Sequence, residues 1–226
     1  MNIGIILGVI AMGLSWLVKR RFQSTMDKLA QIPTRSGMSG KEIAESMLGE
    51  YGISDVQILS TRGMLTDHYN PAKRTVNLSE VVFAERTIAA AAVSAHECGH
   101  AVQHATSYSF LRFRSGLVPV LNISNRVAPF VLMGGIALIE FSSLPLIVGI
   151  AILGTSTLFS LITLPVEFDA SRRALAWLDN TGSMQGEEYE QAKKGLKWAA
   201  MTYVVAALTS LATLLYYVSI LMRRRG

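Results

Sequence analysis

Ala95-His96-Glu97-Cys98-Gly99-His100-Ala101 is an HExxH sequence set in an alanine-rich helical run. Two histidines four residues apart lie on one face of an α-helix, because 3.6 residues complete a turn. From that face both imidazoles reach one tetrahedral zinc ion. Glu97 is one step round the helix, too far to ligate beside them, and is placed to take a proton from an activated water. The reading without chemistry is a helix with two buried, hydrogen-bonded histidines.

The rest of the chain supplies the setting. Half of its 226 residues are hydrophobic and the mean hydropathy is +0.36, a value produced by long apolar runs of the kind that cross a membrane. What remains outside those runs is enough for one small polar domain. The net charge of +5 comes from clustered Lys and Arg, which read as topology signals, so no nucleic-acid partner is expected. The single cysteine, Cys98, leaves no internal disulfide. It projects away from the histidine face, and a packing role is expected for it.

Residues 2–18 are apolar and are followed at once by Lys19-Arg20-Arg21. That order is the reverse of a cleaved signal peptide, so a retained anchor with its amino terminus outside is expected. Ser39-Gly40-Lys41-Glu42 fits a capping box opening a helix that Gly52 stops. Residues 55–60 read as a strand. Residues 64–69 and 74–78 flank an Asn70-Pro71-Ala72-Lys73 turn, and 74–78 alternates like a half-buried strand, either a substrate-pairing edge or an ordinary protected one. Ser79-Glu80 opens the next helical region, and the HExxH helix covers 87–106. His104 continues the histidine face but stands about 12 Å along the axis from His96, too far to share an ion with both; packing or surface exposure is expected for it.

Two apolar runs, 117–139 and 144–164, are joined by Glu140-Phe141-Ser142-Ser143. A polar segment, 167–197, precedes the last run, 198–222, and the chain ends in Arg223-Arg224-Arg225-Gly226. Four spans place 19–115 and 166–197 on one side. Those segments carry twelve and five Lys and Arg, against three on the opposite side. The excess puts the catalytic face in the cytoplasm. A catalytic zinc usually takes a third protein ligand and keeps a position open. Glu167, in Leu164-Pro165-Val166-Glu167-Phe168-Asp169-Ala170-Ser171-Arg172-Arg173, returns to the correct side and is the best choice on topology. Asp169 is the runner-up, and His68 is a further candidate. The alternative for Glu167 is a carboxylate at a helix start, favoured by the dipole.

Asp67-His68-Tyr69-Asn70-Pro71, Leu78-Ser79-Glu80, the HExxH segment and Leu164-Pro165-Val166-Glu167-Phe168-Asp169-Ala170-Ser171 together resemble the YugP-type membrane zinc metallopeptidases over nearly the full chain. The layout is also similar to the broader membrane gluzincins, such as the HtpX and CAAX-processing proteases, in which spans separate HExxH from a glutamate ligand. The resemblance implies that His96, His100 and Glu167 bind zinc and that Glu97 is the catalytic base. The broader group often has an aspartate four residues after the glutamate, where it holds a zinc-bound histidine. This chain has Ser171 there, which accepts a hydrogen bond without the charge that raises ligand basicity.

The expectation is a mainly α, polytopic membrane protein with about four transmembrane helices and a small zincin-like α+β catalytic domain. Its parts are a first span at 1–18, a catalytic domain at 19–115, two spans within 116–165, a ligand-supplying segment at 166–197 and a last span at 198–222. One Zn2+ per chain, protein or peptide substrates near the bilayer, and a multi-pass place in the cell membrane complete it. The reaction is peptide-bond hydrolysis, with His68, Tyr69, Arg172 and Arg173 as candidate oxyanion donors. A non-proteolytic scaffold or chaperone-like protein with structural zinc is the alternative. A small transporter, using Asn122, Asn125 and Arg126, is a third reading.

Overall fold

The structure is a computed structural model that describes residues 3–225, with side chains for residues 6 and 8–223. Met1 and Asn2, where the first expected span begins, and the terminal Gly226 lie outside the described residues. The elements in order are α1 (Ile3–Leu29), α2 (Gly40–Glu50), β1 (Gln57–Thr61), β2 (His68–Asn70), β3 (Thr75–Ser79), α3 (Glu80–Ala84), α4 (Ile88–Ala105), α5 (Ser109–Ala137), α6 (Leu144–Asn180) and α7 (Glu187–Arg225). The chain divides into two compact units. One comprises Val18–Arg112 and Pro165–Thr202; the other comprises Phe113–Leu164, the residues through Leu17 and those from Tyr203 on.

In the first unit, local chemistry sets the helix ends. The Ser39 hydroxyl accepts from the Glu42 N–H at 3.3 Å, and the Glu42 carboxylate accepts from the Ser39 N–H at 2.7 Å, a complete capping box. The Ser39 N–H, the Arg86 guanidinium 2.8 Å away and the Ser39 hydroxyl together lower the Glu42 pKa to about 2. Gly52 follows with φ +66°, the left-handed conformation that closes α2.

The three strands have the order β1-β3-β2. β3 pairs parallel with β1, Gln57 opposite Thr75, and antiparallel with β2, His68 opposite Asn77. This corrects one sequence expectation: β3 is a central strand with all five residues buried, not a half-buried edge. Its polar residues are buried because they bond locally. The Asn77 amide donates to the Thr75 hydroxyl at 2.8 Å. The Asp67 carboxylate accepts from the Ser79 N–H at 2.7 Å and from its hydroxyl. Asn70 Oδ1 accepts from the N–H groups of Ala72 and Lys73, shaping the turn before β3.

α4 is the centre of this unit. Fourteen of its eighteen residues are buried, and most are Ala, Gly or Ser, which lets neighbouring backbones approach it on several sides. Thr87 caps its start by accepting from the Ala90 N–H. Around it pack Ile43, Met47, Val76, Leu78, Trp177 and Leu178. Cys98 is fully buried in this core, and burial raises its thiol pKa above the ordinary value, in keeping with the expected packing role.

Among the described residues, three helices are long and apolar enough to cross a membrane: Ser109–Ala137, Leu144–Asn180 and Glu187–Arg223. In the second unit Ala128, Leu132 and Leu146 form a small core with Ile150, Tyr217 and Ile220. Phe130, Ile123 and Phe141 are left 70%, 68% and 88% exposed, an outward apolar surface suited to lipid. Polar side chains bond across the helices, Ser124 to Thr155 at 3.0 Å, Asn125 to Ser156 at 3.0 Å and Thr157 to Ser210 at 2.9 Å. Those pairs serve packing. α6 runs through Pro165 as one helix of 37 residues. Glu167 is therefore mid-helix, which removes the helix-start reading of its carboxylate.

Candidate metal centre

α4 and α6 each present a stripe of residues one turn apart: His96 and His100 on α4, Glu167 and Ser171 on α6. The two helices meet backbone to backbone at Gly99. A Cβ placed there would lie 2.6 Å from the Ala170 carbonyl oxygen. Glycine at 99 is thus what allows α6 close enough for its carboxylate to reach the imidazoles.

Among the described residues, His96, His100 and Glu167 form a donor group whose ligand atoms all lie within 4.8 Å of one another. Glu167 Oε2 stands 3.3 Å from His96 Nε2 and 3.6 Å from His100 Nε2. Tetrahedral zinc with bonds of about 2.0–2.1 Å keeps its ligand atoms about 3.3–3.4 Å apart. The spacing of the donors and their chemistry, two imidazoles and one carboxylate, fit that ion. Glu167 and His100 are buried and His96 is half-buried. Burial disfavours a charged His100, but the hydrogen bond and charge of Glu167, then the charge of Glu97 and the bond to Gln103, outweigh it and raise its pKa. This pocket attracts positive charge.

The far ring nitrogens decide which imidazole nitrogen is open to a metal. Gln103 is fully buried, and its amide nitrogen lies 2.8 Å from the Val166 carbonyl and 2.9 Å from Asp169 Oδ2. Both neighbours only accept, so the amide nitrogen faces them and Oε1 faces His100 Nδ1 at 3.0 Å. His100 therefore keeps a proton on Nδ1, which leaves Nε2, facing Glu167, as the nitrogen a metal would take in exchange for its proton. His96 Nδ1 lies 3.1 Å from the Ser171 hydroxyl, which supplies its orienting partner. Glu97 is outside the donor group, buried, and its Oε2 accepts from the Tyr69 N–H at 2.9 Å. β2 thus holds the carboxylate of the candidate base.

The other sequence candidates fall elsewhere. Asp169 is about 200° round α6 from Glu167 and accepts from Gln103, Arg172 and Arg173. It orients the network behind His100. His68 is exposed, with Nδ1 2.7 Å from the Thr66 carbonyl. The Tyr69 phenol is 2.7 Å from His104 Nδ1, and burial raises its pKa. Sequence reasoning missed Gln103 and Gly99. The available signals were an amide three residues beyond a ligand, and a glycine inside a helix, which costs about 1 kcal/mol and needs a packing reason.

A membrane-type helical protein in which two histidines and one glutamate meet as a candidate metal centre is the class that the fold and the site define. The chain belongs to the family described as "Putative neutral zinc metallopeptidase", whose model matches residues 4–222. It is 42% identical over 222 residues to the "Putative membrane protease YugP" of Bacillus subtilis (strain 168), covering 98% of this chain and 97% of that protein. No solved structure matches it.

Proposed function

We propose that this protein is an integral-membrane zinc endopeptidase that hydrolyses peptide bonds of proteins at or near the membrane. The observation that carries the reading is the spacing of His96, His100 and Glu167, at 3.3 and 3.6 Å between facing donor atoms, with Glu97 alongside. Family membership supports it. His96, His100 and Glu167 would hold the ion, which when bound supplies Lewis acidity toward the scissile carbonyl and the attacking water. Glu97 takes the proton from the water and returns it to the leaving nitrogen as the C–N bond breaks. The Tyr69 N–H fixes one Glu97 oxygen and leaves the other for that transfer. Gln103 and Ser171 keep the Nε2 atoms aimed inward.

The chain is read as four spans, at 1–18, two within 116–165, and 198–222, around a zincin-like domain at 19–115 and a ligand-bearing segment at 166–197. The charge excess of those polar segments supports a cytoplasmic catalytic face in a multi-pass cell-membrane protein.

The test is Glu97→Gln in purified, detergent-solubilised protein. Zinc content is expected to stay at one per chain while cleavage of an unfolded protein substrate is lost. Undiminished cleavage would remove Glu97 as the base. Zinc binding without turnover in the parent protein would favour the structural-zinc scaffold instead.

A further inference from the structure

A cavity of about 460 Å³ lies in the same compact unit as the metal centre. Its wall includes Tyr69, Arg74, His104, Ser107, Arg112 and Asp55. Two of those residues tie it to the chemistry. His104 is one turn beyond His100 on α4, about 6 Å along the axis. Its Nδ1 meets the Tyr69 phenol at 2.7 Å, and the Tyr69 N–H holds Glu97. An extended peptide advances about 3.3–3.6 Å per residue, so a side chain roughly two residues from the scissile bond falls at this distance.

The lining also decides the chemistry of the occupant. Arg74 and Asp55 form an ion pair in the wall and cancel. Arg112 is exposed at the cavity and, among the described residues, forms no ion pair, so it adds a positive charge there. Hydroxyl and imidazole groups of Ser107, Tyr69 and His104 add hydrogen-bonding capacity. Arg74 and Ser107 also have left-handed backbones, φ 51° and φ 54°, and with Leu65 they are the residues other than glycine recorded with positive φ. Backbone held in that region tends to gather at binding sites.

We propose that this cavity is a substrate subsite for a carboxylate, carried by an Asp or Glu side chain or by a peptide's own carboxyl terminus, and that Arg112 is its specificity-determining residue. The inference rests on the peptidase reading above. The planar Arg112 guanidinium matches a carboxylate in two parallel hydrogen bonds.

The experiment uses the zinc-loaded full chain in detergent and fluorescent nonapeptides with an Ala/Gly background. A single Glu or Gln is scanned along them, each with a free or an amidated carboxyl terminus. Cleavage is read as kcat/KM, and binding as fluorescence anisotropy on the Glu97→Gln protein, which needs no turnover. The expected result is one position at which Glu, or the free terminus, is preferred over its neutral counterpart by about tenfold or more. The side-chain scan and the terminal arm separate the two sources. Arg112→Gln should abolish that preference, read as the ratio of kcat/KM, and of binding, between each acidic peptide and its neutral counterpart. Arg112→Glu should turn it toward Lys at the same position. Equal handling of Glu and Gln at every position and of both termini, or a preference that survives Arg112→Gln, overturns the subsite. Absence of cleavage alone would count against the peptidase reading, and the anisotropy measurement would still decide the subsite.

Discussion

Replacing Gly99 by alanine tests whether the approach of α4 and α6 builds the metal centre. A Cβ at position 99 would lie 2.6 Å from the Ala170 carbonyl oxygen and 3.1 Å from its carbonyl carbon and Cα. Ordinary contact begins near 3.4 Å, so separation of two helix backbones must supply about 0.8 Å (3.4 − 2.6). No flexible side-chain tip is available to absorb it. Glu167 is three residues before Ala170 on the same helix, so the displacement is passed to its carboxylate. Metal sites hold their distances to about ±0.2 Å. Overpacking of this kind costs about 1–3 kcal/mol, and zinc affinity should fall at least as far as when a supporting partner is lost, about 10–100-fold. The assay is zinc competition against a chelator, with thermal melts in the presence and absence of zinc. Gly49→Ala is the control: Gly49 sits in α2 with nothing within 4 Å of a built Cβ, so the same substitution there should stabilise by up to about 1 kcal/mol through helix propensity. A Gly99→Ala protein that binds zinc as tightly as its parent and melts no lower would refute the close-approach argument.

Two further predictions concern the groups behind the histidines and the cap of α2. Gln103→Leu removes the acceptor for the His100 Nδ1 proton in a fully buried place, so zinc affinity measured by chelator competition should drop about 10–100-fold. Ser171→Ala should cost less, because water can reach the half-buried His96 and take the place of the hydroxyl. Glu42, lowered from 4.5 to about 2, contributes stability that is complete above about pH 4.5 and is lost as the pH falls through about 2. Hydrogen exchange of the first turn of α2 should accelerate across that window, and Glu42→Gln should remove most of the acid dependence. An unchanged acid profile in that variant would place the titration elsewhere.

The features legible from residue order are those with a short period or a local partner. The histidine pair four apart, the Ser39 and Glu42 box, the Asn70 turn and the long apolar runs each follow from neighbours within a few residues along the chain. The strand at 74–78 was legible as a strand, but its alternation misled about burial. Thr75 and Asn77 occupy buried positions because they bond each other on the central strand, between β1 and β2. α6 continues unbroken through Pro165. A long apolar helix tolerates proline when its neighbours satisfy the freed backbone group.

By itself the sequence determined which helix carries the imidazoles and which face they share, because helical periodicity is a property of the chain alone. Only the tertiary structure decided that Glu167 faces that pair while Asp169, two residues on, supports Gln103 instead. A helix turns about 200° over two residues, and which direction faces the metal depends on where α6 crosses α4. That crossing is set at Gly99 and Ala170 by a contact between backbones 71 residues apart, 170 − 99, which no local pattern records.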